Sequence, residues 1–262
     1  MFKKKSLGQN FLKSPKIVSD IVSAGKVTKN DTVLEIGPGE GVMTSELLAK
    51  AKKVIVIEKD HRLIPILIEK FKNEIVKNKL EVIEVDILEF DLKKSALSKI
   101  PFKLIANIPY YITGQIIRKF LEAENKPVSM TLLVQKEVAE RIVARDKKES
   151  LLSLSVKVFG DPKIIRTVGR GAFSPAPNVD SAIINIENIS ERNLGGLDPS
   201  KFFDVLHSGF AHKRKQLLPN LSNDFPKEKV INAFNKMGLD LKIRAEDLPV
   251  KIWVNLSKYL TV

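Results

Sequence analysis

The 262-residue chain contains no cysteine, which excludes disulfides and any thiolate metal site. Long apolar runs are missing too: none approaches the roughly 18 residues that a membrane-spanning helix needs. The opening MFKKKSLGQNFLKSP begins with charge as a signal peptide does, but no hydrophobic stretch follows it. Histidine is limited to His61, His207 and His212, with no HxxxH pair. A metal enzyme is therefore not expected, and all three read as solvated surface side chains. Acidic residues are in deficit: 31 Asp and Glu face 44 Lys and Arg, a net charge of +13. That excess points to a polyanionic partner, nucleic acid first, although a uniformly Lys-rich proteome leaves the same signature. These absences describe a soluble, cytoplasmic protein with no metal and no membrane association.

What is present is alternation. Helical spacing over Pro15–Ala24 precedes a buried strand, VLEIG (33–37), and a helix over Gly41–Lys50. Strands VIVIE (54–58), LEVIEVD (80–86), KLIAN (103–107) and SMTLLVQ (129–135) follow, with helices at Arg62–Phe71, Gln115–Leu121 and Lys136–Ala144. SLSVKVFG (153–160), extending to Val168, and SAIINIE (181–187) read as two more strands, on either side of a proline-bearing loop, GAFSPAPNVD. The pattern predicts an α/β fold with a doubly wound, mostly parallel, seven-stranded sheet. NISERNLGGLDPS (188–200) is a polar, glycine-bearing linker. It divides a first domain, 1–190, from a second, 191–262, whose apolar residues recur at threes and fours and predict a small all-α unit.

The first strand runs into Gly37-Pro38-Gly39-Glu40-Gly41. A dinucleotide fingerprint requires glycine at 42, where this chain has valine, which counts against a nicotinamide-dependent oxidoreductase. GxGxG preceded by an acid, Glu35, resembles the cofactor loop of S-adenosylmethionine-dependent methyltransferases. By itself the turn fits a nucleotide cradle or a purely structural bend equally well. Glu58, closing the second strand, can accept hydrogen bonds from both hydroxyls of a ribose, of either cofactor type. Asp86, closing the third, can accept from an adenine amino group. Ligands of open α/β sheets bind beyond the carboxyl ends of the strands, where all three features sit.

LIANIPYY (104–111) ends the fourth strand at that same edge. The exocyclic amine of adenine is a poor nucleophile because its lone pair is delocalised into the ring. Two acceptors placed on its N–H groups favour a pyramidal nitrogen with a more available pair. The side-chain oxygen of Asn107 is one acceptor, and the backbone carbonyl of Ile108 or Pro109, its direction fixed by the proline, is the other. Tyr110 offers a ring on which a flipped base can stack. A proline turn capped by asparagine is the alternative reading, and the upstream acids weigh against it.

With these residues in view, the chain resembles the ribosomal RNA adenine dimethyltransferases, in their bacterial small-subunit (16S) branch. The resemblance runs from about residue 5 to residue 260. It rests on LGQNFL (7–12), LEIGPGEG (34–41), VIVIEKD (54–60), EVDILEFD (84–91), NIPYYI (107–112), VQKEVAERIVA (134–144), FSPAPNVDSAII (173–184), FAHKRKQL (210–217) and IRAEDLPVKIWVNL (243–256). It implies a Rossmann-like methyltransferase sheet and S-adenosylmethionine as cofactor, with S-adenosylhomocysteine as product and no metal. The implied activity is dimethylation of two adjacent adenosines near the 3′ end of 16S ribosomal RNA, in an immature 30S subunit, by a monomer. It also implies that Asn10 and Leu12 pack over the cofactor. Gly37 and Gly39 would take its methionine portion, Glu58 its ribose, Asp86 its adenine, and Asn107 would contact both cofactor and target amine. Phe173 would face the target base opposite Tyr110; otherwise it reads as a loop-packing anchor. Tyr111 stands where relatives often carry Asn, and no catalytic role is expected of it.

Two other readings remain within reach. One is a large-subunit (23S) adenine methyltransferase of the macrolide-resistance type, against which the FSPAPNVDSAII and VQKEVAERIVA segments and the full helical unit weigh. The other is a non-catalytic RNA-binding assembly factor, against which an intact NIPY with Glu58 and Asp86 weighs. The basic run Lys213, Arg214 and Lys215 cannot find three local carboxylates, and it is expected to meet RNA phosphates. Lys3 to Lys5 form a second run, for which a solvated basic face is nearly as good an account.

Overall fold

The computed structural model describes residues 11–212 and 214–261. In chain order the first elements are β1 (Phe11–Leu12), α1 (Pro15–Ala24), β2 (Thr32–Ile36), α2 (Val42–Lys50) and β3 (Lys53–Glu58). Then come α3 (Ile64–Lys70), α4 (Lys72–Val76), β4 (Leu80–Glu84), β5 (Lys103–Asn107), α5 (Thr113–Leu121) and β6 (Ser129–Gln135). After α6 (Lys136–Val143) and α7 (Leu151–Lys157) follow β7 (Asp161–Val168), β8 (Phe173–Ser174) and β9 (Ser181–Glu187). The chain ends in α8 (Pro199–Phe210), α9 (Leu217–Leu221), α10 (Lys227–Met237) and α11 (Val250–Thr261).

Seven strands form one sheet, as the alternation predicts, and their order is β4-β3-β2-β5-β6-β9-β7. Pairing is parallel from β4 to β6, and β9 alone runs against its neighbours on both sides. The chain leaves β2 toward β3 and β4, then returns to place β5 on the opposite side of β2. That reversal opens a crevice at the carboxyl ends of β2 and β5, where open sheets of this kind hold ligands. Because β9 is antiparallel, its first residue, Ser181, pairs with Gln135 at the carboxyl end of β6. The loop before it therefore reaches the ligand-binding edge. A separate two-stranded ladder sets Phe11 opposite Ser174 and Leu12 opposite Phe173.

Apolar packing holds the sheet. β2 is buried along its whole length. The α1 stripe of Ile17, Val18, Ile21 and Val22 joins Leu47 of α2, Val54 and Val56 of β3, and Ile105 of β5 in one cluster. Each such side chain removed from water contributes on the order of 1.5–3 kcal/mol.

Residues 153–160 correct the sequence reading. The alternation of Leu154, Val156 and Val158 suggests a strand, but Leu151–Lys157 is helix α7. Ser150 caps it: the Ser153 N–H donates to the Ser150 hydroxyl oxygen at 3.1 Å, and the Ser150 N–H donates to that of Ser153 at 2.6 Å. A reciprocal cap of this kind satisfies two orphan donors and starts a helix where local alternation suggests otherwise. The strand proper begins at Asp161.

Contacts divide the chain into two units. One comprises the residues up to Ala139 with Asp161–Ile189, and the other Glu140–Gly160 with the residues from Ser190 onward. The linker thus marks the final crossing, while 140–160, which the linear reading leaves in the first domain, groups with the C-terminal helices. In the second unit Phe210 stacks on Trp253 with centroids 5.5 Å apart. Gly209 leaves room for that indole; a Cβ there would lie 2.4 Å from it. Among the described residues, no helix is long and apolar enough to cross a membrane.

Candidate active site

The backbone turn after β2 shapes one wall of a cleft of about 560 Å³ in the first unit. Gly39 has φ 59° and Gly41 φ 75°, left-handed conformations that side chains rarely adopt. A Cβ on Gly39 would come within 3.1 Å of the Phe11 ring, and one on Gly41 within 2.5 Å of the Phe71 ring. Glycine at 41 lets α2 start directly under the turn, where valine at 42 becomes its first helical residue.

Glu58 ends β3 with only 7% of its surface exposed. Its carboxylate accepts from the Gly39 N–H at 3.3 Å and from the Asp60 N–H at 2.8 Å, so strand end and glycine turn are tied together. Burial pushes its pKa up, against the lowering effect of those backbone donors. Glu35, inside β2, is 0% exposed. Its Oε2 accepts from the Thr44 hydroxyl at 2.7 Å, and its Oε1 has no hydrogen-bond partner. Burial raises this carboxyl to about 8.

Asp86 lies just beyond β4, half-buried at the cleft, and accepts from the Leu88 N–H at 3.0 Å. The Lys59 ammonium sits 2.5 Å from its second oxygen. Burial opposes the charge on Asp86, but the hydrogen bonds from Lys59 and Leu88, with the Lys59 charge, bring its pKa below the usual carboxylate range.

On the opposite side Asn107 closes β5 and lines the cleft with Ile108, Pro109, Tyr110 and Tyr111. The Pro109 carbonyl accepts from the Ile112 N–H at 3.3 Å, a long turn bond. No backbone bond of this kind engages the Ile108 carbonyl among the described residues. The Tyr110 hydroxyl meets the Ser181 hydroxyl at 2.6 Å, and burial pushes the phenol pKa up.

The cleft therefore brings together Leu12, Gly37, Gly39, Glu58, Asp86, Asn107, Pro109 and Tyr110. Phe173 does not line it. It is 5% exposed and packs in the same apolar cluster as Ile105 and Ile183, with Leu12 as its ladder partner, as a packing anchor would. Asn10, Lys213 and Lys3 to Lys5 lie outside the described residues; Arg214 and Lys215 are exposed in the second unit. His61, His207 and His212 are exposed as well. No group of three or more His, Asp or Glu side chains fit for a metal occurs among the described residues.

Three contributors escaped the sequence reading. Phe11 adds its ring to the glycine turn, Lys59 neutralises Asp86, and Ser181 meets Tyr110. Phe11 and Ser181 stand within LGQNFL and FSPAPNVDSAII, and Lys59 within VIVIEKD, so each lay inside a singled-out segment without a role of its own.

The donor set suits an adenosine-bearing, positively charged cofactor. Two carboxylates are spaced along the cleft for hydroxyl and amino donors, Gly37 and Gly39 line it beside them, and the orphaned Oε1 of the buried Glu35 carboxyl remains without a hydrogen-bond partner.

Comparison with known proteins agrees. The model of a family described as ribosomal RNA adenine dimethylase matches residues 1–262. A Ribosomal RNA small subunit methyltransferase A from Dehalococcoides mccartyi is 41% identical over 255 residues, 97% of this chain and 87% of its own. One of the same name from Clostridium botulinum is 40% identical over 256 residues, 97% of this chain and 92% of its own. Among solved structures, a dimethyladenosine transferase from Plasmodium falciparum has a TM-score of 0.80 at 30% identity, covering 94% of this chain and 95% of that one. The 23S rRNA methyltransferase ErmE has a TM-score of 0.77 at 26% identity, covering 97% and 100%. With its cleft built from the same segments that carry the sequence resemblance, the chain belongs to the ribosomal RNA adenine dimethylase family.

Proposed function

We propose that this chain transfers methyl groups from S-adenosylmethionine to the N6 amines of two adjacent adenosines near the 3′ end of 16S ribosomal RNA. The products are N6,N6-dimethyladenosines and S-adenosylhomocysteine. It acts in the cytoplasm, as a monomer, on an immature 30S subunit. The observation that carries this reading is the convergence in one cleft of Glu58 and Asp86 with the Asn107–Tyr110 segment. Relatives about 40% identical and named for the small subunit direct it to 16S RNA.

Glu58 would hold the ribose hydroxyls of the cofactor and Asp86 its adenine amine, with the backbone of Gly37 and Gly39 and the side chain of Leu12 around the rest. When bound, the cofactor supplies a methyl group already activated by a sulfonium charge. The protein's own work is placement, which can supply much of a rate enhancement once the reacting atoms are held in line. Asn107 accepts one N–H of the target amine through its side-chain oxygen. The Ile108 carbonyl, which no turn bond engages among the described residues, accepts the other. Tyr110 stacks on the flipped base. The surplus proton of the amine passes to solvent. Phe173 supports the Leu12 wall from the core, and Lys213, Arg214 and Lys215 bind RNA phosphates.

Radiolabelled methyl transfer to purified small subunits, large subunits and protein-free RNA tests the reading. Label confined to small subunits, with two dimethyladenosines by mass spectrometry, is the expected result. Label in large subunits would make this a 23S enzyme, in line with the likeness to ErmE. Binding without transfer would make it an assembly factor.

A further inference from the structure

We propose that Ser181 is a positioning residue: its hydroxyl pins the tip of the Tyr110 phenol and so fixes the tilt of the ring on which the target adenine stacks. The inference rests on the reading of Tyr110 as the stacking platform. Ser181 is 0% exposed, and its Oγ lies 2.6 Å from the Tyr110 oxygen. The two residues are 71 positions apart in sequence.

The topology explains why the bond matters. Tyr110 follows β5, and Ser181 opens β9, with β6 lying between the two strands in the sheet. A phenol anchored on β9 therefore spans the carboxyl end of β6, and its ring cannot swing toward solvent without breaking the bond. Only the reversed direction of β9 brings a buried hydroxyl to that edge.

The same strand entry is held by its neighbours. The Asp180 carbonyl accepts from the Lys136 N–H at 3.0 Å, and the Asp180 carboxylate accepts from the Arg170 N–H at 3.1 Å. At the other end of the loop, Phe173 pairs with the cleft-lining Leu12. Residues 173–181 thus touch both walls of the cleft, one at Leu12 and one at Tyr110. With its pKa raised by burial, the phenol keeps its proton at neutral pH and stays available as a donor. A half-buried ring with a fixed tip presents one face to an incoming base and loses little freedom when that base arrives.

Ser181→Ala removes the bond from the buried side and Tyr110→Phe from the cleft side, so one variant reports if the other folds poorly. Methylation of small subunits at saturating cofactor is measured for both, for the double variant and for Tyr110→Ala, alongside thermal midpoint and adenosylhomocysteine affinity. Each single variant is expected to lower kcat/KM for subunits by about 2- to 12-fold, the range of one net neutral hydrogen bond. The double variant is expected to lose no more than either single one, with cofactor affinity unchanged. Additive losses, wild-type kcat/KM in a folded Ser181→Ala or Tyr110→Phe, or a loss confined to cofactor affinity would overturn the proposal. Tyr110→Ala separates the two levels. If it is inactive while Tyr110→Phe is normal, only the role of Ser181 falls; if it is fully active, the stacking role of Tyr110 falls with it.

Discussion

The Thr44 hydroxyl donates to one oxygen of Glu35 across 2.7 Å, while the other oxygen of that fully buried carboxyl has no partner. Burial is the main cause of its raised pKa. The Thr44 hydrogen bond opposes the shift, the Glu58 charge adds to it and the Lys70 charge opposes it. Folding therefore raises the pKa from 4.5 to about 8. Between those values the folded chain holds a proton that the unfolded chain releases, so stability falls as pH rises through this window. The slope is at most about 1.4 kcal/mol per pH unit. Glu35→Gln cannot titrate, so its thermal midpoint should fall less than the wild type's from pH 5 to pH 8. Parallel curves for the two proteins would show that the carboxyl is already ionised in the fold.

Asn107→Ala should abolish methyl transfer while leaving the thermal midpoint within a few degrees. The side chain ends β5 at the cleft, and its removal leaves Leu104, Ile105 and Ala106 packed as before. Turnover near the wild-type rate at saturating cofactor would remove the acceptor role.

Glu58→Ala should weaken adenosylhomocysteine binding by roughly 1.5–3 kcal/mol, the range for lost hydrogen bonds to a charged group. Lys59→Met should act in the opposite direction or not at all, because the ammonium 2.5 Å from Asp86 competes for the oxygen that an adenine amine would use. Calorimetric titration reads both. Unchanged affinity in Glu58→Ala would move the ribose elsewhere.

Replacing Lys213, Arg214 and Lys215 by glutamine should weaken small-subunit binding and flatten its salt dependence, by about 0.7–0.9 in log–log slope per lost phosphate contact. Cofactor affinity should be untouched, since the cleft is lined by residues of the first unit. Unaltered affinity and slope would make this run a solvated surface.

Local pattern was enough for most of the fold and much of the site. Strands buried on both faces, such as β2, appear as unbroken apolar runs, and α1, α8, α10 and α11 carry their buried faces at helical spacing. Glu58 and Asn107 close their strands and Asp86 lies two residues past its own, so once the sheet is parallel all three must share an edge. Sequence therefore determined most of the strands and the edge that these three side chains share. Tertiary structure alone decided the rest. Residues 151–157 became helix because a serine cap and packing outweigh an alternation that is only local. Phe173 went into the core because its ladder with Leu12 holds it there and it joins the buried apolar cluster under the sheet. Lys59 met Asp86 because β3 pairs with β4, and Tyr110 met Ser181 across the end of β6, which lies between β5 and β9 in the sheet. No period of two or 3.6 residues encodes which distant hydroxyl or carboxylate ends beside which side chain; strand order and direction do.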